Sequence, residues 1–431
     1  MLRSMYSAVS GLNTNQTSLD VIGNNISNVN TNGYKSMSTN FSDLLYQTQR
    51  AASGASDSTG AISPIQVGLG GRTSSITTNI SAQGSALTTN GAFDMMITGS
   101  NFFVVQNGDD NYYTRDGSFM VDSDGYLVNS SLGYYVMGWK SGDGSTVDSG
   151  GALQRLQLMS EDTKTSNGEA TTYLTVSGNI DEYDSQLANG RGIDASVYAS
   201  DGNQYNLKFT LDDAGDENAS TYTLTLTGIT DSSGKSIDVT EQEINLVYDA
   251  SNGKLSSANS SAAGTATITL PADAGGASVT LDFSKSTNYN SSGTSSMSMT
   301  RGNADGDMAG RQEGTRSGIS VSKAGLITIT YTNGDSKVYG QIGTAQFMNA
   351  GGLVSEGNNL YSASNASGDP EYVTVDEDGG SISTGVLEAS NVDLADEFTR
   401  MITAQRAFQA NSRVITTSDS MLSELRGLKS S

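Results

Sequence analysis

The chain has 431 residues, with 46 acidic and 23 basic side chains and a formal charge of −23. It contains neither cysteine nor histidine, which excludes disulfides, zinc sites built on those ligands, and every nucleophilic triad that uses them. No basic cluster follows a phosphate backbone, which argues against nucleic acid as a partner, and an anionic membrane surface would repel the chain. The length exceeds what one hydrophobic core holds, so two or three domains are expected.

Met5, Leu12, Leu19 and Ile26 recur every seven residues. A seven-residue apolar repeat marks a helix with one narrow seam buried against another helix. Leu2, Val9, Ile22 and Val29 thicken the seam, and residues 1–30 are read as an N-terminal helix of roughly 40 Å. The stretch SNVNTNG (residues 27–33) stops it with turn formers. Residues 1–26 have no continuous apolar run, so a cleaved secretory signal is not expected. No stretch is long and apolar enough for a transmembrane helix, so no membrane insertion is expected.

Residues 31–71 are read as an extended linker, because 51–71 are dominated by Ser, Gly, Ala and Thr and include Pro64. Gly68-Leu-Gly70-Gly71 lacks the strand before it and the Lys-Ser/Thr after it that a phosphate loop needs, and reads as a flexible joint. From Arg72 the pattern is β. Short apolar runs around 95–97, 102–105, 112–114, 119–121 and 126–128 are separated by Asn107-Gly108, Asp116-Gly117 and Asp124-Gly125, a meander of hairpins. The turn-rich SGDGSTVDSGG (141–151) then opens a second β region.

Alternation is clear in Tyr222 to Thr227, Tyr205 to Leu211 and Thr265 to Leu270. Residues 146–290 are therefore read as an inserted outer β-sandwich or barrel, dividing a middle β domain into 72–145 and 291–385. Asp122-Ser-Asp124-Gly125 and Asn303-Ala-Asp305-Gly-Asp307 carry oxygen ligands at alternating positions, but both lack the downstream Glu of a calcium loop and read as turns. Neither a metal nor a cofactor is expected, nor an enzymatic role.

Ser390-x-x-Asp393 resembles a capping box that opens the last helix, within residues 386–431. Leu394, Met401, Phe408, Ile415 and Leu422 recur every seven residues along it, thickened by Phe398, Ala404 and Leu425. The fold class is thus multidomain and mainly β, with two β domains, one inserted in the other, and long terminal helices that pack as a coiled-coil-like inner core. The nine heptad residues are the candidate inter-subunit packing site. Pairing within one chain and pairing between chains both satisfy the pattern. Residues 1–50 carry a net charge of +1 and residues 387–431 a net of −1, so the ends of many copies can lie side by side while the acidic middle faces water.

The stretch SGLNTNQTSLDVIGNNISNVNTNGYKS (10–36) resembles the N-terminal signature of the rod and hook family of bacterial flagellar axial proteins. GVLEASNVDLADEFTRMITAQRAFQANSRVITTSD (385–419) resembles that family's C-terminal signature. NGAFDMMITGSNFFVVQ and YYTRDGSFMVDSDGYLV (90–128) are similar to its shared β domain. The insertion favours the hook branch, with the distal rod as the alternative and a secreted β-rich enzyme or adhesin with long terminal helices as the competing class.

The resemblance implies a homo-polymeric, flexible helical tube that acts as a universal joint between motor and filament. It implies as partners the rod, the hook cap, the hook-filament junction proteins and the flagellar export apparatus. It implies a location in the hook and basal body, outside the cell, reached without a cleaved signal peptide.

Overall fold

The computed structural model describes residues 2–52, 54, 60–214 and 220–429. The side chains of Leu2 and Leu425, both assigned to the seams, lie outside the described residues. The chain divides into two compact units. The first comprises Met1–Ser160, Ile319–Thr328 and Lys337–Ser431, the second Glu161–Gly318 and Ile329–Ser336.

The first unit begins with helix α1 (Leu2–Ser27) and ends with helix α2 (Leu394–Lys429). The segment expected to be a linker forms paired strands instead. β1 (Met37–Asp43) is antiparallel to β4 (Gly71–Thr78), and between them β2 (Tyr46–Arg50) pairs with β3 (Ile65–Gly68). Every residue of β2 and β3 is exposed, and the only apolar alternation is the pair Ile65 and Val67, too short to announce a half-buried strand. The Gly68–Gly71 joint is also corrected: Gly70, at φ 116, lies against Ser7 and Ser10 of α1, and a Cβ there would stand 3.2 Å from the Ser7 Cα. It is a close packing point.

The body of this unit is an antiparallel sheet in which Ser336–Ile342, Tyr135–Lys140, Phe102–Asn107, Asp110–Thr114, Leu360–Ser362 and Val354–Gly357 are successive neighbours. Val136 faces Val105, and Val105 faces Tyr112 across it. Successive side chains of a strand point to opposite faces, and here both faces are covered. Phe103, Val105 and Val136 enter one core with Met95, Phe119 and Ile342, whereas Phe102 and Val104 enter another with Tyr113, Phe347 and Tyr361. That is why Phe102 to Val105 reads as an unbroken apolar run.

The second unit has two sheets. In one, Tyr173–Ile180 lies between the parallel strand Ser278–Asn288 and the antiparallel strand Ser298–Arg301. In the other, Arg191–Tyr198, Gln204–Asp213, Thr221–Asp231, Gln242–Tyr248 and Leu255–Ala258 are successive antiparallel neighbours. Leu174, Val176, Leu281 and Phe283 of the first sheet share one core with Leu207, Phe209, Leu224 and Leu246 of the second, the arrangement of a sandwich. Its boundaries differ from the expected 146–290. Residues 141–151 stay with the first unit, and Ser298–Arg301 belongs to the second because it pairs with Tyr173–Ile180.

Candidate functional site

α1 and α2 pack antiparallel, with Asn25 against Glu397 near one end and Gly11 against Asn411 farther along. Small and polar side chains take part in the contact. A Cβ on Gly11 would stand 2.6 Å from Asn411 Nδ2, so the Asn411 amide packs directly over the bare backbone of Gly11. Among the described side chains, Ala8, Val21, Ile22 and Asn25 are the buried ones of α1, and Glu397, Ala404 and Ser418 those of α2. Glu397, Ala404, Asn411 and Ser418 are also spaced by seven, a stripe that an apolar search passes over.

The nine heptad residues flank this stripe. Met5, Leu12, Leu19, Ile26, Met401, Ile415 and Leu422 are half-buried, while Leu394 and Phe408 remain 39% and 37% exposed. Further apolar side chains are turned to solvent: Tyr6 and Val9 on α1, and Phe398, Ile402, Val414 and Met421 on α2. α2 therefore presents apolar groups well outside its contact with α1. A soluble helix that ends its partnerships within one chain would bury them.

The helix pair is fastened to its own unit by a polar junction that joins the two signature stretches. The Asn25 amide is fully used: Nδ2 donates to Met37 O (2.8 Å) and Glu397 Oε1 (3.0 Å), and Oδ1 accepts from Met37 N (2.9 Å) and Tyr34 Oη (3.1 Å). Burial, and then the charge of Glu397, raise the Tyr34 phenol above its ordinary range. Lys35 Nζ donates to Ala82 O and Glu388 Oε1, both at 2.7 Å. Glu388 Oε1 also accepts from Gly84 N at 2.8 Å, and its backbone carbonyl accepts from Gly33 N at 2.7 Å.

Asn391 completes the junction, accepting from Ser36 N at 2.7 Å and donating to Asn79 O and Ala82 O, both at 3.0 Å. Gly33, at φ 69, packs on the backbone of Asp116, where a Cβ would fall 2.8 Å from the amide nitrogen. Gly33-Tyr34-Lys35-Ser36 thus binds Glu388, Asn391 and Asn25 residue by residue. The expected capping box is replaced by a single cap. Asp393 Oδ1 accepts from Ala395 N (2.8 Å) and Asp396 N (3.3 Å), and Ser390 Oγ accepts only from Val392 N (3.3 Å).

The two oxygen-rich loops are turns. Asp122 Oδ1 accepts from Asp124 N and Tyr126 N, and Asn303 Oδ1 from Asp305 N and Asp307 N. Among the described residues no group of three or more Asp or Glu is placed to hold a metal ion, and no helix is long and apolar enough to cross a membrane.

Three family models match along the chain: "Flagella basal body rod protein" at residues 5–35, "Flagellar hook protein FlgE/F/G D1 domain" at 96–176, and "Flagellar basal body rod FlgEFG protein C-terminal" at 383–428. The chain is 34% identical over 463 residues to the flagellar hook protein FlgE of Borreliella burgdorferi, covering all of both chains. The chain belongs to the flagellar hook protein family. The flagellar basal-body rod protein FlgG of Bacillus subtilis is 27% identical over 431 residues, again over the whole of both chains. The crystal structure of the Helicobacter pylori flagellar hook protein FlgE2 aligns at 17% identity and a TM-score of 0.44, over 70% of this chain and 100% of that one.

Members of the flagellar hook protein family are structural proteins of the flagellum that polymerise within its axial structure. The helix pair is matched by the first and third family models, and the junction residues Lys35 and Glu388 fall within those same spans.

Proposed function

We propose that this chain is the subunit of the bacterial flagellar hook, polymerising into a flexible helical tube that carries torque from motor to filament as a universal joint. One observation supports this reading above the others. The pairing of α1 with α2 leaves Leu394, Phe398, Ile402, Phe408 and Tyr6 exposed, so apolar groups on both helices are available to other copies. The nine heptad residues are the proposed inter-subunit contacts. The terminal helices would line the tube, and the second unit would face solvent.

In this reading the partners are further copies, the rod, the hook cap, the junction proteins and the export apparatus. The chain works outside the cell, is exported without a cleaved signal, and has no catalytic role. A rod subunit is the second reading, favoured by the full-length likeness to the Bacillus subtilis rod protein.

Electron microscopy of the purified chain, with sedimentation, tests the polymer. Phe408→Ala should reduce assembly far more than Thr416→Ala, because a Phe buried at a contact contributes about 3–5 kcal/mol per site. Equal effects would put the seam elsewhere. Cells lacking the chain should keep their rods and lose their hooks, and loss of rods would favour the second reading.

A further inference from the structure

Among the exposed apolar side chains of the helix pair, two groups at different heights stand out. One is a pocket. Tyr6 and Val9 of α1, 72% and 45% exposed, line an open cavity of about 510 Å³ with Leu44 and Leu69, and Arg3, Ser10 and Asn13 complete its lining. Leu44 and Leu69 lie at the base of the β2–β3 ribbon, beside the ends of β1 and β4.

The other patch is a knob. Leu394, Phe398 and Ile402 follow one another at four-residue spacing on the first turns of α2, and are 39%, 50% and 57% exposed. Residues four apart share a helix face.

The antiparallel pairing fixes the distance between the patches. Asn25 stands opposite Glu397 and Gly11 opposite Asn411, so Val9 is level with the region of Arg413. That region is about thirteen residues, or roughly 20 Å, along α2 from the knob. Knob and pocket of one chain cannot meet. Complementary patches on different parts of a molecule make a heterologous contact, which repeats into an open helical array instead of closing as a dimer.

We propose that Phe398 and Ile402 of one copy enter the Tyr6, Val9, Leu44 and Leu69 pocket of a second copy displaced by about 20 Å along the helix axis. The proposal rests on the reading of the chain as a polymer subunit and names the surfaces that meet. Charge favours this occupant. Arg3 is the only charged side chain among residues 1–19, whereas residues 393–402 carry Asp393, Asp396 and Glu397 against Arg400, which pairs with Asp396 at 2.8 Å, so the knob keeps a net negative charge and the contact brings opposite signs together.

The absence of cysteine permits a clean test in the full-length chain. Chains carrying Tyr6→Cys and chains carrying Phe398→Cys are mixed, assembled and treated with a short bis-maleimide. Covalent dimers should dominate in the mixture and stay at background with either chain alone. A single chain carrying both substitutions should give a ladder of many copies.

Mixed tubes that yield only monomer overturn the pocket assignment and leave the polymer reading intact. Failure of the unsubstituted chain to form tubes overturns both. Val9→Cys with Ile402→Cys repeats the test with smaller perturbation. A density map of the unsubstituted tube decides without any variant: Phe398 packed on a neighbour's Val9 upholds the contact, and any other partner removes it.

Discussion

Lys35 Nζ lies 2.7 Å from Glu388 Oε1, an ion pair across 353 residues of sequence in which both side chains are 1% exposed. Arg115 adds a second buried cation, its Nη1 3.8 Å from Glu388 Oε2 and its Nη2 donating to Gly99 O at 2.7 Å. Burial pulls the Lys35 ammonium below its ordinary range, while the Glu388 charge and hydrogen bond oppose that pull. Burial likewise lowers the Arg115 guanidinium. One carboxylate therefore serves two cations.

The asymmetry predicts a ranking. Glu388→Gln leaves two cations without a counter-ion and should destabilise the first unit by about 3–5 kcal/mol, the cost of an uncompensated buried charge. Lys35→Met leaves Arg115 and Glu388 as a neutral pair and should cost less. Urea unfolding followed by Trp139 fluorescence reports on this unit, since Trp139 is the only tryptophan and is 2% exposed. A larger loss for Lys35→Met would refute the account.

Gly11 and Gly23 lie on the same helix and differ in surroundings. A side chain at Gly11 meets Asn411, whereas nothing lies within 4 Å of a Cβ at Gly23. Gly11→Leu should separate α1 from α2 and abolish tube assembly, while Gly23→Leu should raise helix propensity by up to about 1 kcal/mol and leave the pair intact. Assembly yield by sedimentation distinguishes them, and tubes from Gly11→Leu would be the contrary result.

Replacing the cap tests how α2 begins. Asp393→Ala removes the acceptor for Ala395 N and Asp396 N and should cost about 1 kcal/mol. Ser390→Ala should cost clearly less. The comparison is made in the same urea titration, and an equal cost would restore Ser390 to a capping role.

Asp181 should contribute to an acid limb in the stability of the second unit. Its side chain is fully buried, with Oδ1 accepting from Tyr183 N (2.9 Å) and Oδ2 from Ser291 N (2.5 Å) and Gly293 N (2.7 Å). Those backbone donors, Tyr183 foremost, hold the carboxyl below its ordinary 3.8 against the opposing effect of burial. A folded-state value below the unfolded one gives stability that is fully present above pH 3.8 and is lost as pH falls through the lowered value. Calorimetry of the full chain should show the transition silent in Trp139 fluorescence weakening on acidification. That acid dependence should be shallower in Asp181→Asn, and an unchanged slope would exclude Asp181 as its source.

Helices and turns were legible because their signals are local. The seven-residue spacing announces α1 and α2, and Gly125 and Gly334 occupy the positive φ, 84 and 83, that their Asp-Gly and Asn-Gly turns require. Tyr222 to Thr227 alternates because one face of that strand is buried and the other is not. The pairing of 37–43 with 71–78 was not legible, since those strands bury little and carry Ser and Thr where an apolar alternation would be read.

The seam was only half legible for a different reason. Apolar periodicity shows that a helix has faces to cover, and says nothing about which face meets its own chain. That choice is made by Gly11 with Asn411 and Asn25 with Glu397, pairs of small and polar groups separated by hundreds of residues.

Three stretches of chain, 28–36, 79–84 and 388–393, run side by side between the helix pair and the sheet, and they are laced together by Lys35 to Ala82 and Glu388, Gly84 to Glu388, Ser36 to Asn391 and Asn391 to Asn79. A lone strand swivels about its single bonds and transmits no couple. Strands held side by side resist that rotation, because turning one about another must break the lacing. Twist applied to the helices is therefore delivered to the sheet without slack, and the bending freedom of the molecule has to reside elsewhere than at this neck.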